Sequence, residues 1–165
     1  MDLDRKVLFF VEPCTNPNGK IFDFSVVPKI RKLCKQLILV ADTTWTPEFN
    51  ALDYGADAIA ISLTKHHSGS NCIMGAVISK NITPSNFRSP IANEVDNCIR
   101  ILGSHISPYD SSKLLSMIKS ITERIDHGHN EALKLASELE KKDWVLKVNF
   151  PLLQSHSYYK LAKEY

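Results

Sequence analysis

Ser62, Thr64 and Lys65 stand within four residues of one another, directly after the apolar run Ala58-Ile59-Ala60-Ile61. Two hydroxyls can hydrogen-bond an oxyanion such as phosphate, and a lysine amine can condense with an aldehyde to form a Schiff base. Asp42 occupies a comparable place, closing the run LILVA and opening Asp42-Thr43-Thr44-Trp45. Asn16 lies in a segment dense in Pro, Asn and Gly that follows a third apolar run, VLFFV at 7–11. If these runs are strands of one sheet, all the named side chains follow carboxyl ends, where α/β proteins gather their ligands. Each also has a plain reading of its own: Asp42 as a turn former, Asn16 as a turn residue before Pro17, Lys65 as a solvated lysine.

The elements that would position these residues follow from the hydrophobic pattern. Runs 7–11 and 37–41 are short, continuous and rich in β-formers, which predicts strands buried on both faces. Between them Val26, Ile30, Leu33, Cys34 and Leu37 recur at helical spacing, with Ser25 as N-cap, Pro28 in the first turn and Cys34 in the core. A short helix at 48–54 is expected to lead through Gly55 into the third strand, and a fourth strand is expected at 76–79. Strand and helix in alternation predict a parallel sheet with helical crossovers, hence the α/β class.

The second half reads as helical at 85–101, with Pro90 kinking or dividing it, then at 110–119 and 120–141 after a loop at 103–109. In the last helix Ile121, Ile125, Gly128, Ala132, Leu135, Ala136 and Leu139 form one stripe. Residues 145–150 alternate as a strand does, and 151–165 contain the start of another helix.

Bulk properties narrow the classes. The chain has 165 residues, 44% apolar and 23% charged, enough for one sizeable core. A net charge of +2 argues neither for nor against a nucleic-acid partner, but no basic stripe carrying aromatics is present, so none is expected. No apolar run reaches membrane-spanning length, and the start Met-Asp-Leu-Asp-Arg-Lys lacks the apolar core of a signal peptide, so a soluble cytoplasmic protein is expected. Cys14, Cys34, Cys72 and Cys98 form no Cys-x-x-Cys pair, and His66-His67 and His127-x-His129 belong to no evident ligand set, so no metal is expected.

Taken together, Glu12…Thr15-Asn16-Pro17, Ala41-Asp42-Thr43-Thr44 and Asp57…Ser62-x-Thr64-Lys65…Gly69…Gly75 closely resemble the Cys/Met-metabolism (trans-sulfuration) family of pyridoxal-phosphate (PLP) enzymes. That family includes cystathionine γ-synthases, cystathionine β- and γ-lyases and methionine γ-lyase. The resemblance continues through Gly103…Ser107-Pro108-Tyr109-Asp110, Lys119, Arg124 and Val145…Phe150-Pro151…Ser155-His156, covering nearly the whole chain.

The resemblance implies the PLP-dependent transferase fold (aspartate-aminotransferase-like, fold type I). Residues 1–118 would belong to the PLP-binding large domain, and 119–165 to a connecting helix and the beginning of a small α+β domain. It implies pyridoxal 5′-phosphate as cofactor and a sulfur-containing amino acid as substrate. Lys65 matches the lysine that forms the internal aldimine and then moves protons at the substrate; Asp42 matches the carboxylate on the pyridine nitrogen. Ser62 and Thr64 match the phosphate-binding hydroxyls, and Asn16 the amide on the cofactor's phenolic oxygen. After Lys65 the family has an aromatic, an aliphatic, Asn, Gly, His, Ser and Asp, where this chain has His66-His67-Ser68-Gly69-Ser70-Asn71-Cys72. The family's chains are also more than twice as long. The alternative implied is a truncated, catalytically inactive homologue. In either case a homo-oligomer, or a hetero-oligomer with a longer homologue, is expected, because open sheet edges and bare apolar faces favour association.

Overall fold

The computed structural model of the chain describes residues 6–69, 74–79 and 90–165. Its centre is a four-stranded sheet in which β1 (Val7–Val11), β2 (Leu37–Asp42), β3 (Ala58–Ser62) and β4 (Gly75–Ser79) lie in chain order. The first two pairings are parallel, with Val11 beside Ala41 and Asp42 beside Ala60. β4 runs antiparallel to β3, with Gly75 opposite Ser62, so the sheet is mixed and not wholly parallel. The connection explains the difference: a parallel return usually needs a helical crossover, whereas the described part of this link, residues 63–69, is a series of turns.

Alternation along the strands divides the sheet into two unlike faces. Val11, Leu39, Ala41, Ile59 and Ile61 point to one side and form the core with Phe24, Val27, Ala51 and Ala56. On the other side Leu8 is 68% exposed and Phe10 55% exposed, and Ile38 and Val77 are exposed as well. β1 was expected to be buried on both faces; among the described residues it is an edge strand, paired with β2 alone and open on one face.

Local chemistry sets the ends of the first helix. The Asp23 carboxylate, and not Ser25, is the cap: it accepts the Ser25 N–H (2.9 Å) and starts a 3-10 turn at Phe24–Val26. That turn runs into α1 (Val27–Leu33), with Pro28 in the first turn where its missing N–H costs nothing. Cys34 lies just beyond the helix, half-buried, and donates its N–H to the Ile30 carbonyl (2.9 Å).

The short helix expected at 48–54 is absent, replaced by a chain of turns. Phe49 N–H reaches Thr46 O (3.0 Å), Asp53 N–H reaches Asn50 O (3.0 Å) and Gly55 N–H reaches Leu52 O (3.3 Å). Pro47, Asn50 and Asp53 are turn formers, and they cut the segment before a helical ladder can propagate. Asp57 then ties the pieces together. Its Oδ2 accepts from Arg31 Nη2 (2.7 Å) and from the Leu39 N–H (2.7 Å), joining α1, β2 and the start of β3.

The remaining elements are helical. α2 (Pro90–Leu102) packs on β4; the expected residues 85–89 of that helix lie outside the described residues. α3 (Pro108–Met117) begins at Ser107, whose Oγ accepts the Asp110 N–H (3.0 Å) and donates to the Asp110 carboxylate (2.7 Å). The Ser107-Pro108-Tyr109-Asp110 motif is thus a helix start. α4 (Ile121–Glu140) follows and buries Ala136. Residues 145–150 form no strand, because no described strand lies beside them to pair with. α5 (Tyr159–Glu164) leads to Tyr165, whose hydroxyl accepts the Phe24 N–H (2.9 Å) and donates to Asp23 Oδ1 (3.2 Å). Among the described residues no helix is long and apolar enough to cross a membrane.

Candidate functional site

Asp42 ends β2 and Ser62 ends β3, and Thr44 connects them. The Thr44 N–H donates to Asp42 Oδ1 (2.9 Å), while Thr44 Oγ1 accepts the Ser62 N–H (2.8 Å). Thr43, almost wholly buried, donates its N–H to the Ala60 carbonyl (3.0 Å) and holds the turn against β3. The second Asp42 oxygen and the Ser62 hydroxyl make no hydrogen bond among the described residues. A half-buried carboxylate and a residue with a free hydroxyl are therefore both tied to Thr44 at the carboxyl edge of the sheet.

Thr64 and Lys65 follow in the turns after β3. Thr64 Oγ1 accepts the Met74 N–H (3.1 Å) and donates to the Met74 carbonyl (3.4 Å), clamping the two ends of the β3–β4 link. Lys65 is exposed, and its amine has no acceptor among the described residues. Ser68 N–H reaches Leu63 O (2.9 Å) and Gly69 N–H reaches Lys65 O (2.9 Å). Gly69 sits at φ 58°, in the left-handed region that lets the chain turn sharply here.

Arg124 of α4 supports this loop from outside. Its Nη1 donates to the His66 carbonyl (2.7 Å) and its Nη2 to the His67 carbonyl (3.3 Å). Burial holds the His66 imidazole below the ordinary histidine range, and the Arg124 charge adds to the effect. The His67 ring is also lowered, first by burial, then by His66 and Arg124; its buried Nδ1 has no hydrogen-bond partner among the described residues.

The sign of the pH dependence follows. In the unfolded chain these rings take up protons near pH ~6.5, whereas in the folded chain they do so only at lower pH. Below about pH 6.5 the unfolded state binds more protons, so the stability of the neutral rings is complete above that value and is lost as pH falls through the folded values. The melting temperature is expected to drop between pH 7.5 and 5.5, and to drop less in His67→Asn; equal drops would dismiss the His67 contribution.

Asn16 sits across the sheet on the loop after β1. The loop is closed by Thr15 N–H to Lys20 O (2.9 Å) and by Lys20 N–H to Thr15 Oγ1 (3.0 Å), which leaves Asn16 exposed. The structure thus joins Asp42 to Ser62 and sets Thr64 and Lys65 next in the chain, while Asn16 makes no contact with them by hydrogen bond. A cavity of about 450 Å³ lies between this loop, Trp45–Phe49, α4 and residues 149–152. It is lined by Pro13, Pro17, Trp45, Ile125 and Pro151 among others, and by none of the five named residues. Thr44 and Arg124 stand among the motifs that carry the resemblance, but reading the sequence assigns neither a role: Thr44 lies close to Asp42 in the chain, whereas two of the Arg124 contacts reach across nearly sixty residues.

Comparison with known proteins bears on this arrangement. The family model described as Cys/Met metabolism PLP-dependent enzyme matches residues 3–165. The chain is 32% identical over 161 residues to a cystathionine beta-lyase of Coxiella burnetii, covering 95% of this chain and 40% of that protein. It is 30% identical to cystathionine gamma-synthase 1, chloroplastic, of Nicotiana tabacum, covering 95% and 28%. Among solved structures it matches metB from Corynebacterium glutamicum with a TM-score of 0.85 and 27% identity, covering 95% of this chain and 40% of that one. The chain therefore spans about two fifths of the length of these relatives or less.

Proposed function

The chain belongs to the Cys/Met metabolism family of PLP-dependent enzymes, and from that premise we propose that it serves trans-sulfuration-type chemistry. The reaction is elimination or replacement at Cβ or Cγ of a cystathionine-like amino acid, with Lys65 as the reacting amine. One observation carries the reading. Asp42 and Ser62 close neighbouring parallel strands and Lys65 follows the second, with a carboxylate oxygen, a hydroxyl and an amine left without partners among the described residues. That donor set suits PLP, which has a phosphate for hydroxyls, an aldehyde for an amine and a ring nitrogen for a carboxylate.

In this reading Ser62 and Thr64 hold the phosphate, Thr64 giving up its long bond to the Met74 carbonyl. Asp42 keeps a proton on the ring nitrogen, and Asn16 offers its amide to the phenolic oxygen. When bound, PLP supplies a conjugated ring that draws electron density from the substrate Cα. The Lys65 amine takes the proton from that carbon and returns one further along the substrate. The same reading divides the chain at 118, with α4 as the connecting helix of a second domain.

The test is chemical capture. Purified protein is mixed with PLP, reduced with borohydride and digested, and the label is located by peptide mass spectrometry. Label confined to Lys65, with product from cystathionine, is expected; scattered label on surface lysines would overturn the cofactor reading. A second reading is favoured by the exposed Leu8, Phe10 and Ile38. In it the chain is an inactive homologue that assembles with a longer family member, and it would co-purify with that member while releasing no product from cystathionine.

A further inference from the structure

The carbonyls of the two residues just after Lys65 are held from outside their own loop. The described turns use the carbonyls of Leu63, Thr64 and Lys65, accepting from Ser68 N–H, Ser68 Oγ and Gly69 N–H. The carbonyls of His66 and His67 are bonded to Arg124, through Nη1 (2.7 Å) and Nη2 (3.3 Å). The same guanidinium anchors itself at the junction of α3 and α4. Nη2 also donates to the Met117 carbonyl (3.2 Å) and Nε to Ser120 Oγ (3.3 Å). No carboxylate pairs with Arg124 among the described residues, so its donors are committed to main-chain and hydroxyl oxygens. A planar fork can span two successive carbonyls and a third on another element, which a lysine ammonium, a point donor, cannot.

We propose that Arg124 is a positioning residue for Lys65, fixing the carbonyls of the two residues that follow it against the α3–α4 junction and so setting where the Lys65 amine is presented. What Lys65 then meets rests on the PLP reading, but the brace does not. The His66 and His67 imidazoles, lowered first by burial, are lowered further by the Arg124 charge held close to this loop.

The experiment uses the chain without added cofactor, as wild type, Arg124→Gln and Arg124→Lys. Amide hydrogen exchange is read at Ser68 and Gly69, with Ala41 in the β1–β2 ladder as internal reference. Lys65 acetylation by acetic anhydride is read against Lys29. In Arg124→Gln the Ser68 and Gly69 amides are expected to exchange about tenfold faster, as lost charged hydrogen bonds imply, with Ala41 unchanged and Lys65 reactivity altered. Arg124→Lys is expected to behave the same way, because it keeps the charge and loses the fork; should the glutamine variant fail to fold, the lysine variant carries the test. Unchanged exchange and reactivity would overturn the proposal, and so would equal acceleration at Ala41, which marks general destabilisation. Wild type that takes no PLP label at Lys65 while the variants still show these shifts would remove the cofactor reading and leave the brace standing.

Discussion

Replacing Lys65 by alanine is expected to abolish the borohydride-stable PLP label and to lower any turnover of cystathionine by about a thousandfold or more, the scale of a lost acid–base group. The melting temperature should stay where it was. Lys65 is exposed and its amine makes no contact among the described residues, so truncation removes chemistry without removing support. The companion substitution is Asp42→Asn. Asparagine Oδ1 still accepts the Thr44 N–H, so the Asp42–Thr44–Ser62 connection survives while the negative charge is lost. A drop in turnover of about a hundredfold is expected, typical of losing one preorganised electrostatic partner. The label at Lys65 should still form. Full activity in Lys65→Ala would refute the assignment outright, and full activity in Asp42→Asn would remove the carboxylate's role.

Phe24→Ala is expected to cost about 4 kcal/mol, the range for deleting a buried phenyl ring. Phe24 is 2% exposed, and its ring meets Phe22 at 4.9 Å, Phe49 at 5.3 Å and Tyr165 at 5.9 Å between centroids. It therefore connects the entry of α1, the turns before β3 and the last residue of the chain. Its own N–H bonds the Tyr165 hydroxyl, so a cavity there loosens both contacts. A domain with about 5–15 kcal/mol in hand loses a large part of its stability this way. Urea unfolding reads the result: the midpoint should fall sharply with the slope preserved. A midpoint shift equivalent to less than about 1 kcal/mol would show that the aromatic cluster relaxes to fill the gap.

How much of this was legible in the sequence depends on how local the cause was. The strands carrying Asp42 and Ser62 were readable because short continuous apolar runs bounded by turn formers need no knowledge of partners. The strand at 145–150 failed for the opposite reason: Val145 to Phe150 alternate correctly, but strand formation depends on a neighbour. Segment 48–54 looked helical by its apolar spacing, yet Pro47, Asn50 and Asp53 each favour a turn, and locally they prevail. The reversal at β4 could have been anticipated, since the link after Lys65 has no helical pattern to carry a parallel crossover. The site divides likewise. Asp42 and Lys65 announce themselves by type and place, whereas Arg124, marked only by the resemblance, meets the Lys65 loop through two carbonyls far away in the chain. The resemblance to PLP enzymes was recoverable because ordered motifs persist even where the intervening residues drift.

The unlike faces of the sheet have a geometric origin. From β1 to β2 to β3 the chain steps sideways twice in one direction, and both connections deliver their apolar residues, Phe24 and Val27, then Ala51 and Ala56, to one common core. Parallel crossovers are almost always right-handed, so two successive steps the same way must wind over the same side. The bare surface around Leu8 and Phe10 is therefore a consequence of winding direction and not of a poor choice of side chains. No substitution within these three strands can clothe it. A second layer has to come from segments wound in the opposite sense, and where such a change of sense is made, α/β folds open the crevice in which they bind ligands.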